Sequence, residues 1–248
     1  MILSEQAVLV TGGASGIGNA FVRHLADAGA RVWAIDNDEA ALAPARENTP
    51  GAQFVRCDVG IEDEVVAAVA AIERASGGIT VLVNNAAVLK DQALVSRIGR
   101  RIRKHSLADW QATLHSNLTG TFLMAREVAE AMIQAKRGGL IVNMSSVSRN
   151  GNAGQTAYSA TKAAVDALTT TWARELSVYG IRVAAIAPGF VETPMTRRIP
   201  PLFLDRIREQ TPLKRFGTLD EFGLAIRFVI ENDYFNGKVL ELDGGLRF

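Results

Sequence analysis

Short runs of β-branched and apolar residues recur along the chain, separated by longer segments in which apolar residues return every three to four positions. The short runs predict strands and the longer segments predict helices. The predicted strands are 7–10, 31–35, 53–56, 80–83, 139–143, 181–186 and 238–242, and the clearest helices are 19–28, 62–74, 119–135 and 159–178. Because the strands lack polar alternation and helices follow them, they should pair in parallel. The pattern predicts an α/β fold with a doubly wound parallel seven-stranded sheet and helices on both faces.

Composition and charge narrow the class of protein. The 248 residues include 27 basic and 26 acidic side chains, and 48% are hydrophobic, which predicts one globular domain over 1–248. A nearly neutral chain whose cations are not interleaved with aromatic residues is not typical of nucleic-acid binding. A single cysteine, Cys57, and three scattered histidines predict no disulfide and no metal site. With no leader pattern and no apolar run near ~18 residues, we expect no membrane contact and a cytoplasmic location.

A glycine-rich segment, Thr11-Gly12-Gly13-Ala14-Ser15-Gly16-Ile17-Gly18, follows the first predicted strand and leads into a helix near Asn19. Glycines at such a turn allow positive φ, and unpaired N–H groups at a helix start attract phosphate. The segment predicts a site for a dinucleotide pyrophosphate. The alternative is a tight turn that binds no ligand.

The second predicted strand ends near Asp36, eighteen residues beyond Gly18. A carboxylate there can accept hydrogen bonds from both adenosine ribose hydroxyls and repels a 2′-phosphate. Asn37 follows it, and the glycine loop carries no basic residue. We therefore predict NAD(H) in preference to NADP(H). A solvated aspartate at a strand end is the alternative.

Tyr158 and Lys162 are four residues apart, on one face of a predicted helix. A free tyrosine, with a pKa near ~10, is a poor base at neutral pH, but a neighbouring ammonium and an oxidised nicotinamide would both lower that pKa. Alone, such a pair is typical of a helix surface. Together with Ser145-Ser146, Asn117 and the glycine loop, it indicates a proton-transfer site.

Taken together, these motifs closely resemble the short-chain dehydrogenase/reductase family over almost the whole chain. The resemblance rests on Thr11-Gly12-x-x-x-Gly16-x-Gly18, Asp58-Val59, Asn84-Asn85-Ala86, Asn117, Ser146, Tyr158-x-x-x-Lys162 and Pro188-Gly189. It implies a Rossmann-type fold and hydride transfer between a nicotinamide and a carbonyl or secondary-alcohol carbon. By this resemblance Tyr158 is the general acid/base and Ser146 holds the substrate carbonyl. Lys162 would bind the ribose and lower the tyrosine pKa, and Asn117 would anchor a relay water.

The glycine loop and the resemblance together imply a set of cofactor-binding residues. These are Gly12, Ser15, Gly16, Ile17, Gly18, Asp36, Asp58, Val59, Asn85, Tyr158, Lys162, Pro188, Gly189, Val191 and Thr193. The chain departs from the family twice: Ala87 replaces a glycine, and Ser146 precedes Tyr158 by twelve residues rather than thirteen. We assign the substrate-carbonyl role to Ser146 over Ser145, because the family pattern Asn-x-Ser-Ser makes the second serine catalytic. A purely structural role at the strand end is the alternative for both serines.

Within the family, Gly154-Gln155 and the terminal Leu242-Asp243-Gly244-Gly245 most resemble 3-oxoacyl-(acyl carrier protein) reductases. The resemblance implies contact with a carrier protein through Arg137 and Arg174, although either could be a solvated helix residue. It also implies a homotetramer built on the two long central helices and the C-terminal strand. Many members of that group use NADPH, which conflicts with the interpretation of Asp36.

Two further segments bear on the substrate. The stretch 96–105 holds five permanent cations, Arg97, Arg100, Arg101, Arg103 and Lys104. They would attract a phosphorylated acyl carrier, either carrier protein or coenzyme A, or they belong to a solvated β-hairpin or loop that meets a neighbouring subunit. The stretch 193–210, in which prolines interrupt an apolar series, predicts a mobile lid over an apolar substrate pocket.

The leading hypothesis is an NAD(H)-dependent oxidoreductase that interconverts a ketone, such as a 3-oxoacyl thioester, with its secondary alcohol. One alternative is a catabolic hydroxyacyl-CoA or secondary-alcohol dehydrogenase. An alternative of another class is a non-catalytic dinucleotide sensor.

Overall fold

A computed structural model of the chain describes residues 1–193, 196 and 200–247. Its strands are β1 (Ala7–Thr11), β2 (Arg31–Asp36), β3 (Ala52–Arg56), β4 (Val81–Asn84), β5 (Val95–Ile98), β6 (Arg101–Lys104), β7 (Gly139–Met144), β8 (Ile181–Pro188) and β9 (Val239–Leu242). Within the described residues, seven of them form one sheet in the order β3-β2-β1-β4-β7-β8-β9, and β5 and β6 form a separate hairpin. Every neighbouring pair in the large sheet is parallel.

Helices cover both faces of this sheet. They are α1 (Gly16–Asp27), α2 (Glu39–Asn48), α3 (Glu62–Ser76), α4 (Leu107–Leu114), α5 (Gly120–Gln134), α6 (Thr156–Glu175), α7 (Pro201–Gln210) and α8 (Leu219–Glu231). One buried cluster includes Phe21 of α1 and Phe222 of α8, and the other includes Ile72 of α3 and Met124 of α5. The doubly wound Rossmann-type fold is therefore confirmed.

The strand order reverses between β1 and β4, which places a crevice at the carboxyl ends of these two strands. All five residues of β1 are buried, as the central position of an all-parallel sheet requires. The loops that leave β1, β4, β7 and β8 all open at this edge. The fold therefore brings the glycine loop, Asn85, Ser146 and Pro188 towards one place.

Helix boundaries differ from the sequence prediction where the site is built. The helix predicted from residue 19 begins at Gly16, and the helix predicted from residue 159 begins at Thr156, so Tyr158 lies in its first turn. A π-helical turn, His115–Thr119, joins α4 to α5. Apolar periodicity marks the interior of a helix but not the polar and glycine residues of its first turn.

The predictions for the segments 96–105 and 193–210 can now be compared with the structure. The stretch of five cations forms the hairpin β5–β6, one of the two forms considered for it. Of the expected lid, residues 201–210 form α7, whereas Pro194, Met195 and Ile199 lie outside the described residues. In the part of the chain that the structure describes, no helix combines the length and apolar character needed to cross a membrane.

Candidate active site

The glycine loop presents bare backbone at the start of α1. Gly12 and Gly16 have φ values of 62° and 55°, in the left-handed region that favours glycine. A Cβ on Gly16 would have no heavy atom nearer than 4.0 Å, so this part of the backbone faces open space. The first turn of α1 holds no acidic side chain, and Ser15 makes no side-chain cap. The helix start can therefore receive an anion on its N–H groups.

The loop is tied to the end of β4. The Thr11 hydroxyl accepts hydrogen bonds from the backbone N–H groups of Asn85 and Ala86, both at 2.9 Å. The Asn85 amide donates to the carbonyls of Thr11 and Gly12 at 3.0 and 3.1 Å. A Cβ on Gly12 would lie 2.8 Å from the Ala86 Cα, so only glycine fits here. These contacts hold the two strand ends at the crevice in one geometry.

Asp36 closes the far end of the crevice. Its carboxylate accepts from the N–H of Ala14 at 3.1 Å and from the N–H of Asp38 at 3.2 Å. Each oxygen keeps a further lone pair for a ribose hydroxyl. Among the described residues, the only Lys or Arg lining this cleft is Lys162; Arg56, beside Asp36 in the sheet register, pairs with Glu64 at 3.2 Å.

The candidate catalytic residues converge from β7 and α6. Lys162 is buried and its Nζ donates to the Met144 carbonyl at 2.6 Å. This Nζ lies 5.5 Å from the centroid of the Tyr158 ring. The Ser146 hydroxyl accepts from the N–H of Ser148 at 3.1 Å, and a hydrogen bond to Ser146 lowers the pKa of Tyr158. Ser146 and the phenol are therefore neighbours.

Burial has the largest effect on the pKa values of Tyr158 and Lys162. Desolvation raises the pKa of Tyr158 to about 12, against the effect of Ser146 and with a further rise from Asp91. Desolvation also lowers the pKa of Lys162 to about 8, opposed by Asp166. In the protein alone the pKa of Tyr158 is raised by burial; the predicted lowering by Lys162 together with an oxidised nicotinamide stays a prediction. Near neutral pH, Tyr158 is a protonated donor.

Asn117 lies in the π-helical turn and is fully buried. Its side chain accepts from the N–H of Val88 at 2.7 Å and donates to the Val88 carbonyl at 3.0 Å. Its amide also lies 3.4 Å from the hydroxyl of Thr161, next to Lys162. Asn117 thus joins the segment after β4 to the helix that carries the tyrosine.

Two clefts meet at the tyrosine. The first, of about 300 Å³, runs from Asp36 along the glycine loop to Tyr158 and Lys162. The second, of about 1210 Å³, extends from Tyr158 between the hairpin and α7. Ser146, Tyr158, Gly189 and Thr196 line both. A group bound in one cleft therefore meets a group bound in the other beside Ser146 and Tyr158.

Most of the predicted cofactor residues line the first cleft, but Gly18 and Asp58 do not, and neither does the predicted catalytic residue Asn117. A Cβ on Gly18 would lie 2.1 Å from the Gly12 carbonyl oxygen, so this glycine serves close packing within the loop. Asp58 accepts from the Asn37 amide at 3.2 Å and from the Gly60 N–H at 2.9 Å. Asp58 therefore holds Asn37, which lines the cleft, and stands between the lining residues Cys57 and Val59 in the chain.

The cleft is also lined by residues that were not predicted to bind the cofactor. They are Asn37, Cys57, Ala86, Ala87, Val88, Ser116, Met144, Ser145 and Thr196. Most of them are next to predicted residues in the chain, and this adjacency is the only feature of the sequence that could have indicated them. Burial raises the pKa of the Cys57 thiol to about 12, so it is not a nucleophile near neutral pH.

Comparison with known proteins agrees with this geometry. The sequence model of a family described as enoyl-(acyl carrier protein) reductase matches residues 12–247. A 3-oxoacyl-[acyl-carrier-protein] reductase FabG of Thermotoga maritima is 40% identical over 254 residues, 99% of each chain. The FabG of Aquifex aeolicus is 37% identical, and an acetoacetyl-CoA reductase of Synechocystis is 35% identical, with coverage of 96% or more of each chain. The chain belongs to the short-chain dehydrogenase/reductase family.

As a short-chain dehydrogenase/reductase the chain is an oxidoreductase, and its family uses a nicotinamide cofactor. The first cleft fits such a group. It offers the bare backbone of Gly16 for a pyrophosphate, the free lone pairs of Asp36 for a ribose, and Lys162 beside Tyr158 at its inner end.

Proposed function

We propose that this enzyme reduces a 3-oxoacyl thioester to the 3-hydroxyacyl thioester with NADH. The observation that carries the proposal is the position of Ser146 and Tyr158 where the cofactor-type cleft meets the larger cleft. The larger cleft has apolar walls, including Leu89, Phe190 and Phe203, which suit an acyl chain better than a sugar. The printed names of the relatives, which include acyl-carrier-protein and CoA reductases, support this substrate class.

The chain's own residues orient the ketone and deliver the proton. When bound, the reduced nicotinamide supplies the hydride that forms the new C–H bond. The Ser146 hydroxyl holds the carbonyl oxygen, and the Tyr158 hydroxyl donates its proton to that oxygen as the C=O double bond becomes an alcohol. The charged Lys162 stabilises the phenolate left behind. Asn117 fixes the turn through which a proton from water returns to Tyr158.

Asp36 supports NADH over NADPH. A 2′-phosphate beside it would meet a carboxylate, whereas the one cation among the described lining residues, Lys162, lies beside Tyr158. The same feature favours a second candidate, oxidation of a hydroxyacyl-CoA or another secondary alcohol. A non-catalytic dinucleotide sensor is the alternative of another class, and the complete set of proton-transfer residues argues against it.

The test is Tyr158→Phe with acetoacetyl-CoA as substrate. Loss of the proton donor should lower kcat by roughly 10²–10⁴-fold, while NADH binding followed by nicotinamide fluorescence stays unchanged. Tyr179→Phe is the matched control, because Tyr179 is half exposed in the turn after α6, and it should retain full activity. Retention of activity by Tyr158→Phe would contradict the mechanism. If the native protein binds NADH but reduces no ketone or acyl thioester, the sensor is favoured.

Partners and location also belong to the proposal. We infer a homotetramer and a phosphorylated acyl carrier as the substrate source. Arg137 is paired with Glu73 at 2.7 Å, so we do not assign it to carrier contact, whereas Arg174 forms no ion pair among the described residues. A cytoplasmic location rests on the lone, buried Cys57.

A further inference from the structure

The hairpin β5–β6 concentrates cations that have no acidic partner. None of Arg97, Arg100, Arg101, Arg103 and Lys104 forms an ion pair with any side chain that the structure describes. Elsewhere, ten different arginines do pair with carboxylates, including Arg149 with Asp166 at 2.8 Å. A cluster of positive charges without acidic partners on two short strands attracts anions.

The pairing of the hairpin decides which cations face the substrate. Ser96 lies opposite Arg103, and Ile98 lies opposite Arg101. Because alternate residues of a strand share a face, these four side chains belong to one face of the hairpin. Ser96 and Arg103 line the larger cleft from this face, and Lys104, the next residue of β6, lines it too, whereas Arg97, Arg100 and Arg101 are not among its lining residues. Arg97 belongs to the opposite face.

The helix α7 forms the other wall of the cleft. Its lining residues Phe203, Arg206, Ile207 and Gln210 follow helical spacing, so they form one stripe. No side chain of α7 is buried, and Arg206 forms no ion pair within the described part of the chain. Exposed cations thus face each other from the hairpin and α7.

The lining of the larger cleft is not basic throughout. Its lining includes the apolar side chains Leu89, Ala93, Val147, Phe190, Phe203 and Ile207, together with uncharged polar ones such as Gln92, Ser148, Asn152 and Gln155. Two carboxylates also line it, and both are engaged by neighbours. Asp109 accepts from Gln92 at 2.6 Å and from Ser106 at 2.7 Å. Asp91 is hydrogen-bonded by Gln155, and burial raises its pKa.

We propose that Arg103, Lys104 and Arg206 bind the phosphate end of a phosphopantetheine arm, while the apolar side chains of the cleft hold the arm and the acyl thioester against Tyr158. The inference rests on the proposed function and names the chemistry that positions its substrate. Guanidinium groups bind phosphate with paired hydrogen bonds, and they stay charged at every physiological pH. The phosphate is common to coenzyme A and to a carrier protein, so the same site serves either source.

The experiment compares two double variants that remove the same charge. Arg103→Gln/Lys104→Gln, the cleft-face variant, removes the two hairpin cations that line the cleft, and Arg97→Gln/Arg100→Gln removes two hairpin cations that do not line it. Long-range attraction falls equally in both, so a difference between them reports local contact. Each is assayed with acetoacetyl-CoA, with the acetoacetyl thioester of N-acetylcysteamine, which lacks phosphate, and with acetoacetyl carrier protein. Binding of free coenzyme A is measured in parallel by calorimetry, without turnover.

In the cleft-face variant we expect the KM for acetoacetyl-CoA and the Kd for coenzyme A to rise by about tenfold or more. The phosphate-free thioester should keep its kcat/KM, and the control variant should behave as the native enzyme. If the KM for acetoacetyl carrier protein also rises, the site binds the phosphate of the carrier protein as well. If that KM does not rise, the site binds the phosphate of coenzyme A only.

Three results would overturn the proposal: equal behaviour of the two variants, equal loss for the phosphate-free thioester, or a change confined to the carrier protein. The last would assign the hairpin to the carrier's protein surface. If the native enzyme reduces no thioester, the proposed function fails, while calorimetry with coenzyme A still decides the phosphate site.

Discussion

At the scale of single residues, the site depends on how burial changes ordinary side chains. Desolvation raises the pKa of Tyr158 and lowers that of Lys162. A raised pKa makes the phenol a weaker acid, so donation near neutral pH depends on groups that favour the phenolate, such as the Ser146 hydroxyl and the charge of Lys162. The magnitude of the two pKa shifts depends on the packing of α6 against β7, which the four-residue spacing alone does not reveal.

Asp36 carries the prediction on cofactor choice. The native enzyme should have a higher kcat/KM with NADH than with NADPH, and Asp36→Asn should lower that ratio by roughly 10–100-fold. The substitution removes charge repulsion of a 2′-phosphate and weakens hydrogen bonds to the ribose, effects of about 1.5–3 kcal/mol. Steady-state kinetics with both cofactors measure the ratio.

Asp63→Asn is the matched control, because Asp63 is exposed in the first turn of α3, outside the cleft. It removes the same charge and should leave the ratio unchanged. A native preference for NADPH would show that our interpretation of Asp36 is wrong.

At the scale of elements, the hydrogen bonds at helix N-termini matter more for the site than the helix interiors do. The α8 start has a complete capping box: the Thr218 hydroxyl accepts from the Glu221 N–H, and Glu221 accepts from the Thr218 N–H at 2.8 Å. Arg215 and the Thr218 N–H lower the pKa of Glu221 to about 2. Helix α8 packs Phe222 and Ile226 into the core on α1, so its stability bears on the helix that starts at the glycine loop.

Thr218→Ala should therefore lower the free energy of unfolding by about 1 kcal/mol, since the N-terminal N–H groups lose their acceptor. Because the pKa of Glu221 is lowered in the folded state, its contribution is present above its ordinary pKa of 4.5 and is lost as the pH falls towards 2. Urea unfolding at pH 7 and pH 3 measures both effects. Thr170→Ala, at an exposed position inside α6, is the control and should be neutral or slightly stabilising. Equal losses in the two variants would contradict the capping role.

At the scale of the whole molecule, α5 and α6 leave an apolar groove of about 510 Å³ on the surface. It is lined by Phe122, Ala125, Ala129, Ile133, Trp172 and Leu176, with Arg126, Glu130, Gln134 and Glu175 around them. An apolar patch with a polar rim is typical of an interface between subunits. The edge strand β9 has no partner on its outer side in the described residues, which suits a second interface.

Phe122→Asp should break the proposed tetramer into dimers or smaller species, because each symmetric interface would bury the new charge twice. Sedimentation velocity at micromolar concentration measures the change. Val66→Asp is the control, since Val66 is similarly exposed, on α3, and does not line the groove. A Phe122→Asp protein that remains tetrameric would exclude this face as an interface.

The sequence by itself determined the α/β class, the seven parallel strands and the convergence of Gly12, Asp36, Ser146 and Tyr158, because each follows from local periodicity or from a motif of fixed spacing. The one-domain boundary and the roles of the individual site residues stay predictions. Only the tertiary structure decided that Arg103 of the basic hairpin lines the larger cleft, that Asp58 holds Asn37, and that burial raises the pKa of Tyr158. Those properties depend on which distant segments exclude water from a side chain, and one-dimensional spacing does not contain that information.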